Sequence, residues 1–135
     1  LDGSRRTIHY FNSALLINPS GRFAGRYSKQ HLVPFGEYVP LRQYLPFLEP
    51  LVKNVGDFTP GGSVTPLTDG PMRLGVLICF ESIFPDLARQ WAVSGANLLV
   101  NLTNDAWYGR SSAPYQSFAM VVFRAVETRR SLVRA

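Results

Sequence analysis

The sequence predicts an α/β domain in which helices pack against a sheet. A pair of apolar strands comes first, a long irregular segment follows, and the chain then alternates strand, helix, strand and helix. The two later strands are apolar along almost their whole length, as are strands in the interior of a sheet. With 135 residues, of which 46% are hydrophobic, the chain is long enough for one globular core.

The first half of the chain is predicted to form a hairpin, followed by a long irregular segment over residues 34–71 that we call the excursion. Residues 8–17 are rich in strand-forming side chains, residues 18–21 have turn composition, and residues 22–27 supply the partner strand. Lys29 lies just past this second strand. Residues 34–71 are rich in Pro and Gly, and we interpret them as one long irregular segment, a kind that is usually functional when ordered.

The second half is predicted to form two strand–helix units. The first has a buried strand over residues 72–79 and a helix over about residues 83–94, with Ser82 as its N-cap. The second has a strand over residues 96–102 and a helix over residues 113–134. One face of that last helix is apolar at helical spacing, and its members are Phe118, Val121, Val122, Ala125 and Val126.

Composition and charge exclude several classes of protein. No run approaches the ~20 apolar residues that cross a bilayer, and the opening residues do not have the pattern of a signal peptide. The net charge of +5 favours anionic partners, yet no nucleic-acid-binding motif is present. We interpret the basic cluster in the last predicted helix as a solvated face; it comprises Arg124, Arg129, Arg130 and Arg134.

The one cysteine of the chain, Cys79, is the strongest candidate for a catalytic group. A single cysteine excludes an internal disulfide and a cysteine-based metal cluster. Cys79 lies where a buried strand ends and a helix follows, a position at which helix N–H groups favour a thiolate. The backbone N–H of Phe80 is then a candidate oxyanion donor. Glu81 would oppose the thiolate unless a cation such as Lys29 intervenes.

Three ordered motifs resemble the nitrilase superfamily, and in particular its apolipoprotein N-acyltransferase branch. Residues 27–41 resemble the lysine motif, residues 75–85 the nucleophile segment, and residues 101–109 the segment after the next strand. Residues 113–116 and 124–127 also match the acyltransferase pattern. The resemblance implies that the chain is part of a nitrilase-like α-β-β-α sandwich, a partial domain over residues 1–135 that lacks the N-terminal portion.

The resemblance also assigns roles to individual residues. Cys79 matches the nucleophile, and Lys29 matches the triad lysine that stabilises the thiolate and the oxyanion. Glu37 and Glu81 match auxiliary carboxylates that position the lysine. The third triad member, a glutamate that acts as general base, belongs to a motif upstream of Leu1, so the isolated chain is expected to be inactive.

The implied reaction transfers an acyl chain from a glycerophospholipid, through a thioester on the cysteine, to the amine of an apolipoprotein. It needs no cofactor, metal or nucleic acid. The implied partners are the phospholipid, the apolipoprotein and a membrane surface. The implied location of the full-length protein is the bacterial inner membrane, with this domain on the periplasmic side. A partial domain also exposes surface through which copies of the chain can pair.

Several readings remain open for the side chains that would contact substrate. Residues 41–52 are apolar with cations at the edges, which suits a lipid interface, but the segment also suits a cover over the core. Leu45 and Phe47 are its candidate substrate contacts. Trp107 and Tyr108 are the other candidate substrate contacts; they either gate the acyl pocket, anchor at the membrane interface or pack in the interior. His9 and His31 have no metal-ligand spacing, and we interpret both as structural.

Two other functions fit the same sequence. A soluble carbon–nitrogen hydrolase of the same superfamily would use Cys79 in the same way, with water as the acceptor. A non-catalytic module would use its basic face to bind anionic surfaces, and its function would survive loss of Cys79.

Overall fold

The computed structural model describes residues 8–40 and 56–135, apart from the side chain of Trp107. In these ranges an antiparallel hairpin accompanies a four-stranded sheet and two α-helices. The leucine-rich stretch with Leu45 and Phe47 lies outside the described residues. The hairpin strands are β1 (Ser13–Ile17) and β2 (Phe23–Ser28), the sheet runs β3 (Leu67–Asp69), β4 (Met72–Ile78), β5 (Leu98–Leu102) and β6 (Ser131–Arg134), and the helices are α1 (Pro85–Val93) and α2 (Ala113–Thr128).

The four-stranded sheet brings three strand ends to one edge. β3 and β4 are antiparallel, whereas β4, β5 and β6 are all parallel. Ile78 is level with Leu102 across one pair, and Asn101 is level with Arg134 across the next. Because parallel strands end at the same edge, the residues that follow β4 and β5 lie close together there.

Two single 3₁₀ turns occupy this edge. The first, which we call the Cys79 turn, is Cys79–Ile83 and follows β4 directly. The second, the Tyr108 turn, is Asp105–Tyr108 and follows β5. The Asn104 side chain accepts a hydrogen bond from the Ala106 N–H at 3.1 Å and so caps the start of the second turn.

One core cluster joins the hairpin to the sheet and to α1. Tyr27 of β2 packs edge-on against Trp91 of α1, with ring centroids 5.1 Å apart. Gly75 of β4 lies directly beneath Trp91, because a Cβ on that glycine would fall 2.8 Å from the tryptophan Cβ. The remaining buried apolar members include Ala14, Leu67, Val76, Leu77, Ile78, Leu87, Ala88, Ala96 and Leu99.

The predicted hairpin is confirmed, although its first strand is shorter than expected. The Asn18 side chain accepts hydrogen bonds from the N–H groups of Ser20 and Arg22 and builds the turn. Residues 8–12 do not continue β1. Instead Tyr10 forms an isolated bridge with Phe58, because the returning excursion offers the nearer backbone partner.

The excursion leaves the lysine region and returns to it. The Phe58 N–H donates to the Glu37 carbonyl at 3.1 Å, and the Gly61 N–H donates to the Lys29 carbonyl at 2.8 Å. The short strand β3 also lies inside the segment that was predicted to be irregular. Three residues are too few to show the alternation that marks a strand.

The helix after Cys79 begins later than predicted, and Ser82 is not its N-cap. The N-cap of α1 is Phe84, which makes no side-chain cap, and Pro85 opens the helix. The Ser82 hydroxyl donates instead to the Cys79 carbonyl at 3.1 Å. The intervening 3₁₀ turn therefore takes the residues that the sequence assigned to the helix start.

The last helix was predicted over residues 113–134, and this prediction is wrong after residue 128. α2 ends at Thr128, Arg129 adopts a left-handed conformation with φ 51°, and β6 follows as a strand parallel to β5. β5 has an open edge whose N–H and C=O groups need partners, and residues 131–134 supply them. This tertiary pairing overrides a local sequence that carries no glycine stop signal.

Two further predictions for the last segment, its buried apolar stripe and its solvated basic cluster, are only partly confirmed. Val121 is buried, but Phe118 and Val126 are 57% and 69% exposed. Arg124 was predicted to be solvated and is 5% exposed, where it donates to the Ile83 carbonyl. α2 therefore turns a mixed face toward the Cys79 turn, and leaves much of its apolar face uncovered by the described residues.

Candidate active site

Cys79 occupies a strained turn at the edge of the sheet. It follows β4 without an intervening residue, is half-buried, and has φ 50°. The left-handed region costs a residue with a Cβ roughly 1–2 kcal/mol. Such strain concentrates at functional sites, where the surrounding structure holds it in place.

Lys29 is a buried ammonium with one carboxylate partner. It is 1% exposed, and its Nζ donates to Glu37 Oε2 at 2.7 Å. Its backbone N–H donates to the Asn12 carbonyl at 2.8 Å, which holds the lysine against the residue that precedes β1. Burial of an unpaired charge is costly, so the ion pair with Glu37 compensates the burial of the lysine.

Glu37 is held in place by three donors. Besides Lys29, the Val33 N–H donates to Oε2 at 2.8 Å, and the Asn12 side-chain amide donates to Oε1 at 2.7 Å. Burial alone would raise the pKa of Glu37, yet the hydrogen bonds from Lys29, Asn12 and Val33 together hold that pKa below its usual value. The carboxylate is therefore stabilised in its charged form beside the ammonium.

Glu81 connects the lysine segment to the cysteine segment. It is fully buried, and Oε2 accepts a hydrogen bond from the Ile78 N–H at 2.8 Å, one residue before Cys79. Oε1 accepts from the Gln30 N–H at 2.7 Å and from the His31 N–H at 3.2 Å, directly after Lys29. One carboxylate thus joins backbone on both sides of the candidate site.

Tyr27 completes the set of donors to Glu81, and the sequence did not single it out. Its hydroxyl donates to Glu81 Oε1 at 2.8 Å. Burial raises the pKa of Tyr27 well above its ordinary range, and the charge and hydrogen bond of Glu81 raise it further. The opposition between Glu81 and a Cys79 thiolate that the sequence suggested is reduced, because all four donors are directed at the carboxylate.

Tyr108 faces Cys79 from the neighbouring turn. Its hydroxyl lies within interaction range of the Cys79 side chain. Burial raises the pKa of Tyr108, and the proximity of Cys79 and Asp105 adds to that effect. Of the two residues in this turn that the sequence offered as substrate contacts, Tyr108 therefore lies beside Cys79, and the side chain of Trp107 is not described.

A cavity of about 610 Å³ opens beside the two motif segments. His31, which follows the lysine segment, stacks on Phe84 with ring centroids 4.3 Å apart, and Phe80 packs edge-on against Phe84. The packing of His31 agrees with its predicted structural role, and its buried Nδ1 has no hydrogen-bond partner within residues 8–40 and 56–135. The walls are formed by Gln30, His31, Leu32, Pro34, Tyr38, Val39, Asp57, Phe58, Pro60, Phe80 and Phe84.

The arrangement is suited to nucleophilic chemistry. A half-buried sulfur, a buried ammonium and two carboxylates belong to two segments that Glu81 holds together. The oxyanion role of the Phe80 N–H stays a prediction. Among residues 8–40 and 56–135, no group of three His, Cys, Asp or Glu side chains is placed to share a metal ion. In those same ranges, no helix is long and apolar enough to cross a membrane.

Curated relatives match almost the whole chain. A protein of Geobacter metallireducens named apolipoprotein N-acyltransferase is 57% identical over 134 residues, which cover 99% of this chain and 25% of that protein. A protein of the same name from Bdellovibrio bacteriovorus is 38% identical and is matched over 24% of its length. The chain therefore spans about a quarter of the length of the curated relatives it matches.

Solved structures share the fold. A carbon–nitrogen hydrolase from Helicobacter pylori superposes with a TM-score of 0.65 at 23% identity, over 93% of this chain and 40% of that one. An amidase from Nesterenkonia sp. superposes with a TM-score of 0.60 at 26% identity, over 91% of this chain and 39% of that one.

The α/β fold and the ordered motifs agree with a family model described as carbon-nitrogen hydrolase, which matches residues 4–135. The chain belongs to the carbon–nitrogen hydrolase family, within the nitrilase superfamily.

Proposed function

We propose that the protein transfers an acyl chain from a glycerophospholipid to the N-terminal diacylglyceryl-cysteine amine of apolipoproteins. The support from sequence is the 57% identity, over 99% of the chain, to a protein named apolipoprotein N-acyltransferase. The observation that carries the proposal is the bridge through Glu81. Its carboxylate accepts from Ile78, next to the candidate nucleophile, and from Gln30, next to the buried lysine.

In the first step the Cys79 thiolate attacks the ester carbonyl of the phospholipid. A carbon–sulfur bond forms, the ester carbon–oxygen bond breaks, and the lysophospholipid leaves with a proton from the general base. Lys29, positioned by Glu37, stabilises the negative charge on the carbonyl oxygen, together with the Phe80 N–H. In a similar structure, the amidase from Nesterenkonia sp., acrylamide has added to the active-site cysteine, which supports the same role for Cys79.

In the second step the amine of the acceptor attacks the thioester. A carbon–nitrogen bond forms, the carbon–sulfur bond breaks, and the amine proton passes to the base while Cys79 leaves as thiolate. The resemblance assigns the base to a glutamate in a motif that this sequence does not contain. We therefore propose that the 135-residue chain by itself transfers no acyl groups, and measurable transfer by that purified chain would contradict this.

The partners and the location belong to the same proposal. A phospholipid donor and a lipidated acceptor are both held in a membrane, so the site would work at a membrane surface, on the periplasmic face of the bacterial inner membrane. The net charge of +5 is suited to anionic headgroups. Residues 41–52, which include Leu45 and Phe47, are the proposed lipid contact of this part of the chain.

The test uses the natural protein with any flanking sequence it carries, supplied with phospholipid and a diacylglyceryl-cysteine peptide. We expect an acyl adduct on Cys79 by mass spectrometry when the peptide is withheld, and N-acylated peptide when it is added. Cys79→Ala and Cys79→Ser should abolish both. Asp86→Asn, in an exposed ion pair of α1, is the matched control and should keep both. Undiminished N-acylation by Cys79→Ala would refute the proposal.

An amidase activity is the second candidate, since a solved relative with 26% identity is an amidase. The two activities share the nucleophile and differ in the acceptor. Hydrolysis of small amides without transfer to the lipidated peptide would favour the amidase. Binding to anionic surfaces that survives Cys79→Ala, without either activity, would favour the non-catalytic module.

A further inference from the structure

A second cluster of polar side chains lies at the same edge of the sheet as Cys79. Arg134, the last residue of β6, reaches back over the neighbouring strand and is 13% exposed. Its Nη2 donates to both oxygens of Asp105, at 3.0 and 2.8 Å, and to the Ser117 hydroxyl at 3.3 Å. Its Nη1 donates to Asn101 Oδ1 in a short hydrogen bond.

Each partner of Arg134 belongs to a different element. Asn101 of β5 is fully buried, and its amide donates to the Leu77 carbonyl of β4 at 2.9 Å, two residues before Cys79. Asp105 opens the Tyr108 turn and also accepts from the Thr103 hydroxyl at 3.2 Å. Ser117 lies in α2. The guanidinium therefore fixes the Tyr108 turn relative to the strand that ends at the cysteine.

The turn that Arg134 holds also carries Tyr108, the tyrosine that lies beside Cys79. Asp105 and Tyr108 are the two ends of one 3₁₀ turn, so a displacement of Asp105 moves the tyrosine as well. The Tyr108 hydroxyl lies within interaction range of the Cys79 side chain. A guanidinium that binds a carboxylate through both of its oxygens restrains orientation as well as distance.

We propose that Arg134 is a positioning residue, which holds the Tyr108 turn so that the Tyr108 hydroxyl donates a hydrogen bond to the sulfur of Cys79. The part of this inference that concerns turnover rests on the proposed function. A donor at the sulfur stabilises the thiolate before the first step, and again when the sulfur leaves in the second. Among the described residues, the charged side chains that act on Tyr108 are Asp105 and Arg134, and Glu81 follows Cys79 by two positions in the Cys79 turn.

The experiment measures the reaction of Cys79 with iodoacetamide across pH in the natural protein, with the modified peptide identified by mass spectrometry. We expect Tyr108→Phe to displace the pH profile of alkylation upward by about 0.5 to 1 pH unit, because the thiolate loses a donor. Arg134→Met should displace the profile in the same direction, and Arg134→Lys should restore part of the difference. Arg89→Met, in an exposed ion pair, is the matched control and should leave the profile unchanged.

The Tyr108→Phe, Arg134→Met double variant tests whether Arg134 acts on Cys79 through Tyr108 or independently of it. If Arg134 acts through the tyrosine, Arg134→Met adds no further displacement to Tyr108→Phe. An additive displacement, or a wild-type profile in Arg134→Met with only a lowered Tm, would overturn the proposal. If Arg134→Met fails to fold, Asp105→Asn replaces it, because that variant keeps the Arg134 bonds to Asn101 and Ser117.

Alkylation does not require acyl transfer, so the two proposals fail separately. Transfer by Cys79→Ala would remove the proposed function and leave the alkylation profiles as a test of the positioning role. Unchanged profiles in Tyr108→Phe and Arg134→Met would remove the positioning role and leave the proposed function intact.

Discussion

Glu81 shows how one side chain can assemble a site from distant parts of the chain. Its four hydrogen bonds come from the Tyr27 hydroxyl and from the N–H groups of Ile78, Gln30 and His31. Hydrogen bonds to an ionised acceptor are stronger than neutral ones, and these compensate the burial of the carboxylate. The lysine and cysteine segments therefore lie together because both satisfy the same acceptor.

The first prediction concerns Glu81→Gln. In glutamine, an NH2 group takes the place of one of the two carboxylate oxygens. Because that group cannot accept a hydrogen bond, one buried donor loses its partner. We expect the free energy of unfolding to fall by about 1–3 kcal/mol in a denaturant titration. Asp86→Asn, which removes an exposed carboxylate, should change it by less than about 0.5 kcal/mol. Equal effects of the two variants would contradict the role assigned to Glu81.

The second prediction is an alkaline limit on stability. The ordinary pKa of tyrosine is 10.0, and in the fold the pKa of Tyr27 is raised. Above pH 10 the unfolded chain therefore releases a proton that the folded chain keeps, and stability falls as the pH rises, by up to about 1.4 kcal/mol per pH unit. Tyr27→Phe should flatten this fall, measured by denaturant titration at several alkaline pH values. Identical slopes in the two proteins would contradict the prediction.

Among the elements, β4 and α1 pack tightly against each other at Gly75. The Gly75 Cα approaches Trp91 so nearly that a Cβ would lie 2.8 Å from the tryptophan and 2.9 Å from Leu99. This contact fixes α1 over the strand that leads to Cys79. The strand end and the helix that follows the Cys79 turn are thereby held in one arrangement.

The third prediction follows from that contact. Gly75→Ala places a methyl group where neighbouring heavy atoms already lie, and we expect it to lower the free energy of unfolding by about 1–3 kcal/mol. Gly62→Ala is the matched control, because no atom of the described residues, other than its own chain neighbours, lies within 4 Å of its Cβ position. Denaturant titration of both variants checks the difference. A loss in Gly62→Ala as large as that in Gly75→Ala would contradict the packing argument.

The elements that the sequence predicted well are those with strong local patterns. The turn at Asn18, the buried strand β4 and the interior strand β5 all have clear composition signals, and all are confirmed. β6 and the end of α2 were missed, because a left-handed Arg129 gives no stop signal and the pairing of β6 depends on the edge of β5. The pattern of a segment does not reveal a partner that is distant in sequence.

The candidate site was predictable only through its motifs. Residue type and local position identified Cys79, and the lysine motif identified Lys29 and Glu37. The bridging role of Glu81 depends on where backbone N–H groups of another segment lie, which no pattern reports. The Arg134–Asp105 pair could not be seen either, because Arg134 was assigned to a helix instead of β6.

At the scale of the whole molecule, α2 leaves apolar side chains uncovered within the described residues. Tyr115, Phe118, Phe123 and Val126 are all more than half exposed. Such a patch on one helix indicates a surface that associates. We propose that copies of the 135-residue chain pair through it when the chain is produced alone.

The fourth prediction tests this pairing. Sedimentation velocity of the isolated 135-residue chain should show association that increases with concentration. A Phe118→Ser, Val126→Ser double variant should shift the population toward monomer. Val93→Ser, which changes an exposed valine at the end of α1, is the matched control and should leave the association unchanged. A chain that stays monomeric at every concentration would refute the pairing.

The backbone hydrogen bonds at the two ends of the excursion separate the lysine segment from the stretch between them. The chain departs after the Glu37 carbonyl and is fastened again at Phe58 and Gly61, so its two ends meet at a fixed base beside the lysine. Both fastenings are made by residues outside the stretch 41–55, and lengthening a closed loop costs little entropy. We therefore expect the Lys29–Glu37 pair to keep its arrangement when the length or composition of that stretch is changed.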